Sequence, residues 1–215
     1  WDEKGRKNWL FLQGMLGPFI AAIFSLIVGY ASKMQWNGVF FVYLVAVPIW
    51  AAMMVWLFEP QKQEPQTEAR SASPPGTAFP WASALQIAAV TLFASMLYYV
   101  FIINGALVFK EVGVTEPVRY AALIFVPSLF ILAGAALFRL LAMRGNMLQL
   151  GTMFLLLGAG LAGIGLATTV PMMIAALVVQ QTAAGMAVPT LIAWAQSKFG
   201  YEHRGRAMGI WTGAF

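Results

Sequence analysis

Long apolar runs without charged residues dominate this sequence, and each is close to the ~20 residues that cross a bilayer as a helix. Strands of a membrane barrel would instead alternate polar and apolar residues over ~10 positions. The pattern predicts an all-α polytopic membrane protein with six complete transmembrane helices and the start of a seventh at Ala207. The six runs are Trp9–Tyr30, Gly38–Phe58, Ala82–Phe109, Tyr120–Phe138, Met147–Ala167 and Pro171–Ala195.

Charge is scarce and lies outside the runs. Charged residues make up 10% of the chain, against about 25% in soluble domains, and every acidic residue falls outside the runs. An intramembrane enzyme would need a nucleophile with a base, or paired acids, inside the spans. No span contains Asp, Glu, His or Cys, so we predict no enzymatic activity, no catalytic residue, no cofactor and no metal.

The segment Glu59–Pro80 is the one long stretch that suits water. It holds three glutamates and five prolines, a composition that neither continues a helix nor packs a core. We interpret it as a cytoplasmic linker between two membrane blocks. The predicted organisation is residues 1–58 with two helices, 59–80 as linker, and 81–215 with four helices and the start of another.

The basic residues predict an orientation. If successive loops alternate sides, ten bases fall on one side and three, Lys33, Lys110 and Arg119, on the other. Cytoplasmic loops collect Lys and Arg, so the N-terminal segment, the linker and the loop at 198–206 are predicted to be cytoplasmic. The same rule explains the net charge of +5 without nucleic acid, and we expect a multi-pass protein of the plasma membrane.

Two similar strings indicate an internal repeat. EKGRKNWLFLQG at residues 3–14 and EHRGRAMGIWTG at 202–213 each lie in a basic loop before a new span, and six spans separate them. Parallel repeats of six helices are an architecture of transporters.

Three further elements carry a resemblance to a known family. The string GMLGPFIAA at 14–22 resembles the GPxxGG element of helix five in the drug-efflux-antiporter branch of the major facilitator superfamily, with Ala-Ala replacing Gly-Gly. QWNGVF at 35–40 is similar to the start of helix six in that family, and residues 134–146 resemble its loop between helices eight and nine. The resemblance implies a piece that runs from the loop before helix five to the start of helix eleven.

The same motifs supply candidate conformational residues. Small residues on one helix face let a neighbouring helix approach closely, and a proline bends a helix; arginines in the basic loops can hold the closed state. The alternatives are plain close packing for the glycines and topology alone for the arginines. The candidates are Arg6, Gly14, Gly17, Pro18, Arg139, Arg144 and Arg206.

Polar side chains inside spans are the candidate substrate contacts, because polar groups that face lipid are unfavourable. In the resemblance, the run Ala82–Phe109 corresponds to helix seven and the run Pro171–Ala195 to helix ten. The resemblance implies that these two helices line a central cavity, which favours Ser95, Tyr98, Tyr99, Asn104 and Gln181. The alternative is that these groups only join helices by hydrogen bonds. Asn104 before Gly105 suggests a local break in the helix, and Trp81 and Trp194 are expected to anchor at the membrane interface.

These observations favour a secondary active transporter that works by alternating access. Proton-coupled efflux of a drug or metabolite is the first expectation. The alternatives are proton-coupled uptake of a sugar or organic acid, and a membrane sensor of the same fold that transports nothing. The expected partners are a small-molecule substrate, protons and the lipid bilayer, with a monomeric protein, and residues 1–215 alone are not expected to transport.

Overall fold

The computed structural model describes residues 3–34, 37–57 and 78–215, and these residues are almost entirely helical, without a strand among them. Two short 3-10 turns, Tyr43–Val45 and Tyr201–His203, interrupt the α-helices. The α-helices are α1 (Glu3–Met34), α2 (Gly38–Val42), α3 (Ala46–Trp56), α4 (Trp81–Glu111), α5 (Pro117–Leu129), α6 (Ile131–Leu141), α7 (Asn146–Leu166), α8 (Val170–Ser197) and α9 (Arg204–Ala214).

Five segments of the described chain are long and apolar enough to cross a membrane. They are Gly38–Trp56, α4, Pro117–Leu141, α7 and α8, and they coincide with five of the six predicted spans. In α1 only the shorter stretch Phe19–Met34 has this apolar character, so a first span over Trp9–Tyr30 stays a prediction. The structure therefore supports five spans. It does not confirm the predicted six complete spans and the start of a seventh.

The linker lies almost wholly outside the described residues. Only Ala78, Phe79 and Pro80 of the predicted stretch are described, and they lead directly into α4. α4 has 31 residues and is roughly 46 Å long at 1.5 Å per residue. That exceeds the ~30 Å hydrocarbon thickness, so a helix of this length must tilt or extend past the hydrocarbon to cross a bilayer.

The span Pro117–Leu141 consists of two helices joined at a bend. Pro127 lies inside α5 and has no N–H to donate to the preceding turn. The chain tightens there, because the Phe130 N–H donates to the Pro127 oxygen at 2.9 Å instead of reaching one residue further back. α6 then starts at Ile131, so one predicted span consists of two consecutive helices.

α8 is the centre of the bundle. It packs against α1, α4, α5, α6, α7 and α9. Of the residues in its most apolar stretch 44% are buried, against none in that of Gly38–Trp56. Alanine and glycine fill its middle, at 183–185 and 187. Small side chains allow close helix approach in lipid, where no hydrophobic force drives helices together.

Four glycines mark close contacts between two helices. A Cβ on Gly134 would overlap the Thr182 carbonyl oxygen, and a Cβ on Gly185 would overlap the Ile131 carbonyl oxygen, which joins α6 to α8. The other two are Gly160, against Gln180 of α8, and Gly29 of α1, against Ala121 of α5.

Contacts between helix ends sort the loops into two groups. The Phe79 ring stacks on Phe199 with 5.6 Å between centroids, and Asn146 donates to Ser197 Oγ at 2.9 Å. The starts of α4 and α7 therefore lie beside the end of α8. We call this the basic end, because its described bases are Arg139, Arg144, Lys198, Arg204 and Arg206.

The other end of the bundle carries Lys33, Lys110 and Arg119 together with Glu111 and Glu116. There the end of α4 meets the start of α5, and α1 meets α5 near Pro117. We call it the opposite end. This grouping agrees with the alternation of loops that the sequence predicts.

Candidate functional site

Two adjacent tyrosines of α4 form a ring cluster with the end of α9. Tyr98 and Tyr99 lie edge to face with 5.2 Å between centroids, and Phe215 lies 5.6 Å from Tyr98 and 5.9 Å from Tyr99. Trp211 stacks on Phe215 at 5.5 Å. Tyr98 is partly buried and Tyr99 is 38% exposed, so the cluster remains accessible from one side.

Ser95 lies one turn before this cluster and is buried. Its hydroxyl donates to the Leu92 oxygen at 2.9 Å and lies 3.4 Å from the Ala214 oxygen. The structure thus brings together three of the five predicted substrate residues, Ser95, Tyr98 and Tyr99, where α4 contacts α9.

Asn104 has a different environment. Its side chain is exposed, and its amide donates to the Val100 oxygen of the same helix at 2.9 Å. The expected break at Asn104-Gly105 is wrong, because α4 is continuous through both residues. Gly105 instead makes room for the Tyr120 hydroxyl, which would lie 2.6 Å from an added Cβ.

Gln181 is buried in α8, and among the described residues no hydrogen bond joins it to the tyrosine cluster. Its neighbour Gln180 faces the glycine contact with α7, and the Gln180 Oε1 atom is buried without a partner. Thr91 and Thr190 likewise have buried hydroxyls without partners. The bundle therefore contains polar groups with unused hydrogen-bonding capacity, which is unfavourable inside a protein.

A second aromatic cluster lies at the basic end, and the sequence interpretation missed it. Phe79 is buried between Phe199 and the His203 ring, and the Arg206 guanidinium lies 5.2 Å above the Phe79 ring. Arg206 thus contacts an aromatic face, a favourable cation–π geometry. Phe79 lies in the predicted linker. A large apolar side chain in an otherwise polar stretch was the one sequence signal that could have indicated this cluster.

For the remaining conformational candidates, the structure gives a position in a helix but no contact that indicates a role. α1 is helical through Gly14, Gly17 and Pro18, and a Cβ on Gly17 would meet no atom within 4 Å. The structure does not describe the surroundings of Arg6, Gly14 and Pro18. Arg139 is in the last turn of α6, where a base interacts favourably with the helix dipole.

Arg144 lines a shallow pocket of about 400 Å³ at the basic end, together with Asn146, Trp194, Ser197 and Lys198. Trp194 was expected at the membrane interface, and that prediction is wrong, because the side chain is only 2% exposed. It fills the space between the end of α8 and its neighbours in the main core. Trp81, in contrast, is 60% exposed.

These groups define the chemistry that the described spans offer. In residues 3–34, 37–57 and 78–215, no cluster of His, Cys, Asp or Glu could hold a metal ion. The side chains within the spans supply hydroxyls, amides and aromatic rings. Such groups can bind a ligand by stacking and hydrogen bonding.

The five apolar spans, the helix bundle and the polar groups within it define an integral multi-pass membrane protein. A family model described as the Major Facilitator Superfamily matches residues 9–215. The chain therefore belongs to the major facilitator superfamily, whose members are secondary transporters and not enzymes. Comparisons with curated proteins and with solved structures gave no match.

Proposed function

We propose that this protein moves a small, partly aromatic and largely uncharged molecule across the membrane by alternating access. The observation that carries the proposal is the cluster of Tyr98, Tyr99 and Phe215, accessible from one side. Tyrosine offers a flat apolar face and a hydroxyl that can hydrogen-bond. Ligand sites commonly combine an apolar wall with a few such polar groups.

The described spans contain no carboxylate that would neutralise a cationic substrate and no base that would bind an anion, apart from residues at their ends. An uncharged substrate needs neither. The buried hydroxyl of Thr91, on the same stripe of α4 as Ser95 and Tyr98, adds a polar group without a partner. Gln181 belongs to the proposed site as a second wall from α8.

The direction that we propose is efflux coupled to protons, which rests on the family resemblance of residues 14–22. We further propose a monomer in the plasma membrane with the basic end facing the cytoplasm. The asymmetry of bases between the two ends supports this orientation through the positive-inside rule.

The test is transport by the purified protein in proteoliposomes, with a panel of labelled aromatic drugs, sugars and organic acids. Efflux predicts accumulation of an aromatic compound in inverted vesicles, driven by an inward-acidic pH gradient and abolished by a protonophore. Accumulation in right-side-out vesicles would indicate uptake instead. Saturable flux of no compound would contradict the transporter proposal in favour of a sensor.

Hydroxyl deletion then tests the site. Tyr98→Phe and Tyr99→Phe keep the rings, and each should raise KM roughly threefold to tenfold if its hydroxyl binds substrate, the equivalent of one lost hydrogen bond. Tyr43→Phe is the matched control, because Tyr43 is 74% exposed in another span. Equal KM values in all three variants would remove the tyrosine pair from the site.

A further inference from the structure

Phe215 is the ring that α9 contributes to the tyrosine cluster of the proposed site. Its plane is tilted by 55° to the ring of Tyr98 and by 57° to the ring of Tyr99. Phe215 and Tyr98 are partly buried, and Tyr99 is exposed. A flat substrate group in this cluster would meet three rings from two helices, so its fit depends on how each ring is oriented.

Trp211 supports the Phe215 ring from within α9. The two residues are four apart, so they share one face of the helix. Their rings stack with 5.5 Å between centroids and 21° between planes. The Phe215 N–H donates to the Trp211 carbonyl oxygen at 3.0 Å. A nearly parallel indole restricts the rotamers of the phenylalanine, because a turn of its ring toward Trp211 would bring the two rings into overlap.

The Trp211 side chain is itself out of reach of a ligand. The residue is 8% exposed and its indole nitrogen is buried. It belongs to the main core, which also contains residues of α4, α7 and α8. Such a core is closely packed, so Trp211 is a rigid support. Any effect that it has on a substrate is transmitted by Phe215.

Two further contacts fix α9 against α4. The Arg206 guanidinium lies above the Phe79 ring at the basic end, and the Ser95 hydroxyl lies 3.4 Å from the Ala214 oxygen. Both helices lead away from the basic end, so they run in parallel, and Phe215 is brought to the level of the tyrosine pair. The position of its backbone is thus set by α4, and the orientation of its ring is set within α9.

We propose that Trp211 is a positioning residue that makes the site selective for a flat aryl group over a saturated ring of the same size. It keeps the ring of Phe215 at a fixed angle to the two tyrosines, and aromatic pairs are favourable in particular offset-stacked or edge-to-face arrangements. A saturated ring gains apolar contact, which has no directional requirement. The inference rests on the proposed function, since it names the substrate class of the same site.

Binding to the purified protein in detergent tests the proposal without requiring transport. The probes are tritiated phenyl glucoside and cyclohexyl glucoside, which are both uncharged and differ in whether the ring is aromatic. Trp211→Leu should raise the Kd of the phenyl compound roughly threefold to tenfold, because aromatic contacts are lost. The Kd of the cyclohexyl compound should change by less than about twofold. Trp211→Phe retains a stacking ring and should restore most of the preference.

Trp194→Leu is the matched control. Trp194 belongs to the same core, and among the described residues no ring contact joins it to the tyrosine cluster. This variant should lose stability as Trp211→Leu does, while the ratio of the two Kd values stays as in the wild type. An unchanged ratio in Trp211→Leu, or binding of neither probe by the wild type, would overturn the role of Trp211.

Flux of the same two glucosides in proteoliposomes separates this inference from the proposed function. Saturable flux of both compounds without a preference for the phenyl compound would leave the transporter proposal standing and overturn the selectivity. Preferential binding of the phenyl compound that depends on Trp211, without flux of any compound, would support the selectivity and contradict transport.

Discussion

Gly185→Ala should destabilise the bundle through one methyl group. An alanine Cβ at this position would lie 2.7 Å from the Ile131 carbonyl carbon, whereas ordinary contact begins at 3.4 Å. The obstacle is helix backbone, which cannot rotate aside as a side chain can. α6 and α8 would therefore have to separate by at least roughly 0.7 Å, because the Ile131 carbonyl oxygen lies nearer still. A gap of this size forfeits about a quarter to a half of each van der Waals contact across the interface.

The size of the loss follows from that gap. If about 50 atom pairs of roughly 0.15 kcal/mol each lose a third of their energy, the interface weakens by about 2.5 kcal/mol. This value lies within the range of about 1–3 kcal/mol that is typical of overpacked cores. Equilibrium unfolding in mixed micelles, followed by circular dichroism, measures the difference directly.

Gly158→Ala is the matched control, because a Cβ there would meet no atom within 4 Å. Its unfolding free energy should change by less than about 0.5 kcal/mol. Gly134→Ala should cost as much as Gly185→Ala, and the double variant should cost less than their sum, because one separation relieves both overlaps. Equal stability of Gly185→Ala and Gly158→Ala would refute the backbone contact.

Three further predictions concern the ends of the bundle and its buried polar contacts. Cysteines introduced as Met143→Cys and Thr115→Cys, both at exposed positions, should react with an impermeant reagent from opposite sides of a sealed vesicle. Labelling of both from one side would disprove the topology. Phe79→Leu should lower the unfolding free energy by roughly 1–2 kcal/mol as its ring contacts and cation–π contact are lost; no change would mean that this cluster is not stabilising. Gln149→Leu removes a buried hydrogen bond to the Phe138 oxygen and should cost about 0.6–2 kcal/mol in the same assay, while an unchanged unfolding curve would show that this bond is energetically neutral.

The spans were the part of the fold that the sequence could predict, because a bilayer demands a minimum apolar length and the charges mark where each run stops. The helix starts were predictable for a similar local reason. The predicted run Pro171–Ala195 opens with a proline, which suits a first helical turn, and α8 begins at Val170 with the Thr169 side chain as its cap. The bend at Phe130 was missed, although Pro127 was visible in the run.

Contacts between helices could not be predicted, because they depend on how each helix is rotated about its axis. Gly17 was named for close packing on its motif, yet the tightest backbone contacts among the described residues involve Gly134 and Gly185. Asn104-Gly105 suggested an opening by composition. In hydrocarbon a broken helix leaves backbone groups unsatisfied, and the continuous α4 instead uses Gly105 to receive Tyr120.

The aromatic residues were misjudged for a related reason. Tryptophan is common at membrane interfaces, but Trp194 lies in the core that surrounds the end of α8. Phe79 belonged to a stretch of soluble composition, and only its contact with Phe199 shows that α4 is fixed to the basic end from its first turn. The candidate substrate residues were chosen because they are polar residues within spans. Polarity alone does not show which of these side chains lie close together in the folded bundle.

The bend between α5 and α6 makes the span Pro117–Leu141 a short lever with its fulcrum at Phe130. α6 is held to α8 by touching backbones, whereas α5 carries the contact with α1 through Ala121 and Gly29. α5 has 13 residues and is therefore roughly 20 Å long. A swing of about 10° at the fulcrum would displace its far end by roughly 3.5 Å, and it would have to slide α5 across α8 and shift α1 against α6 and α8, because these helices are also in contact.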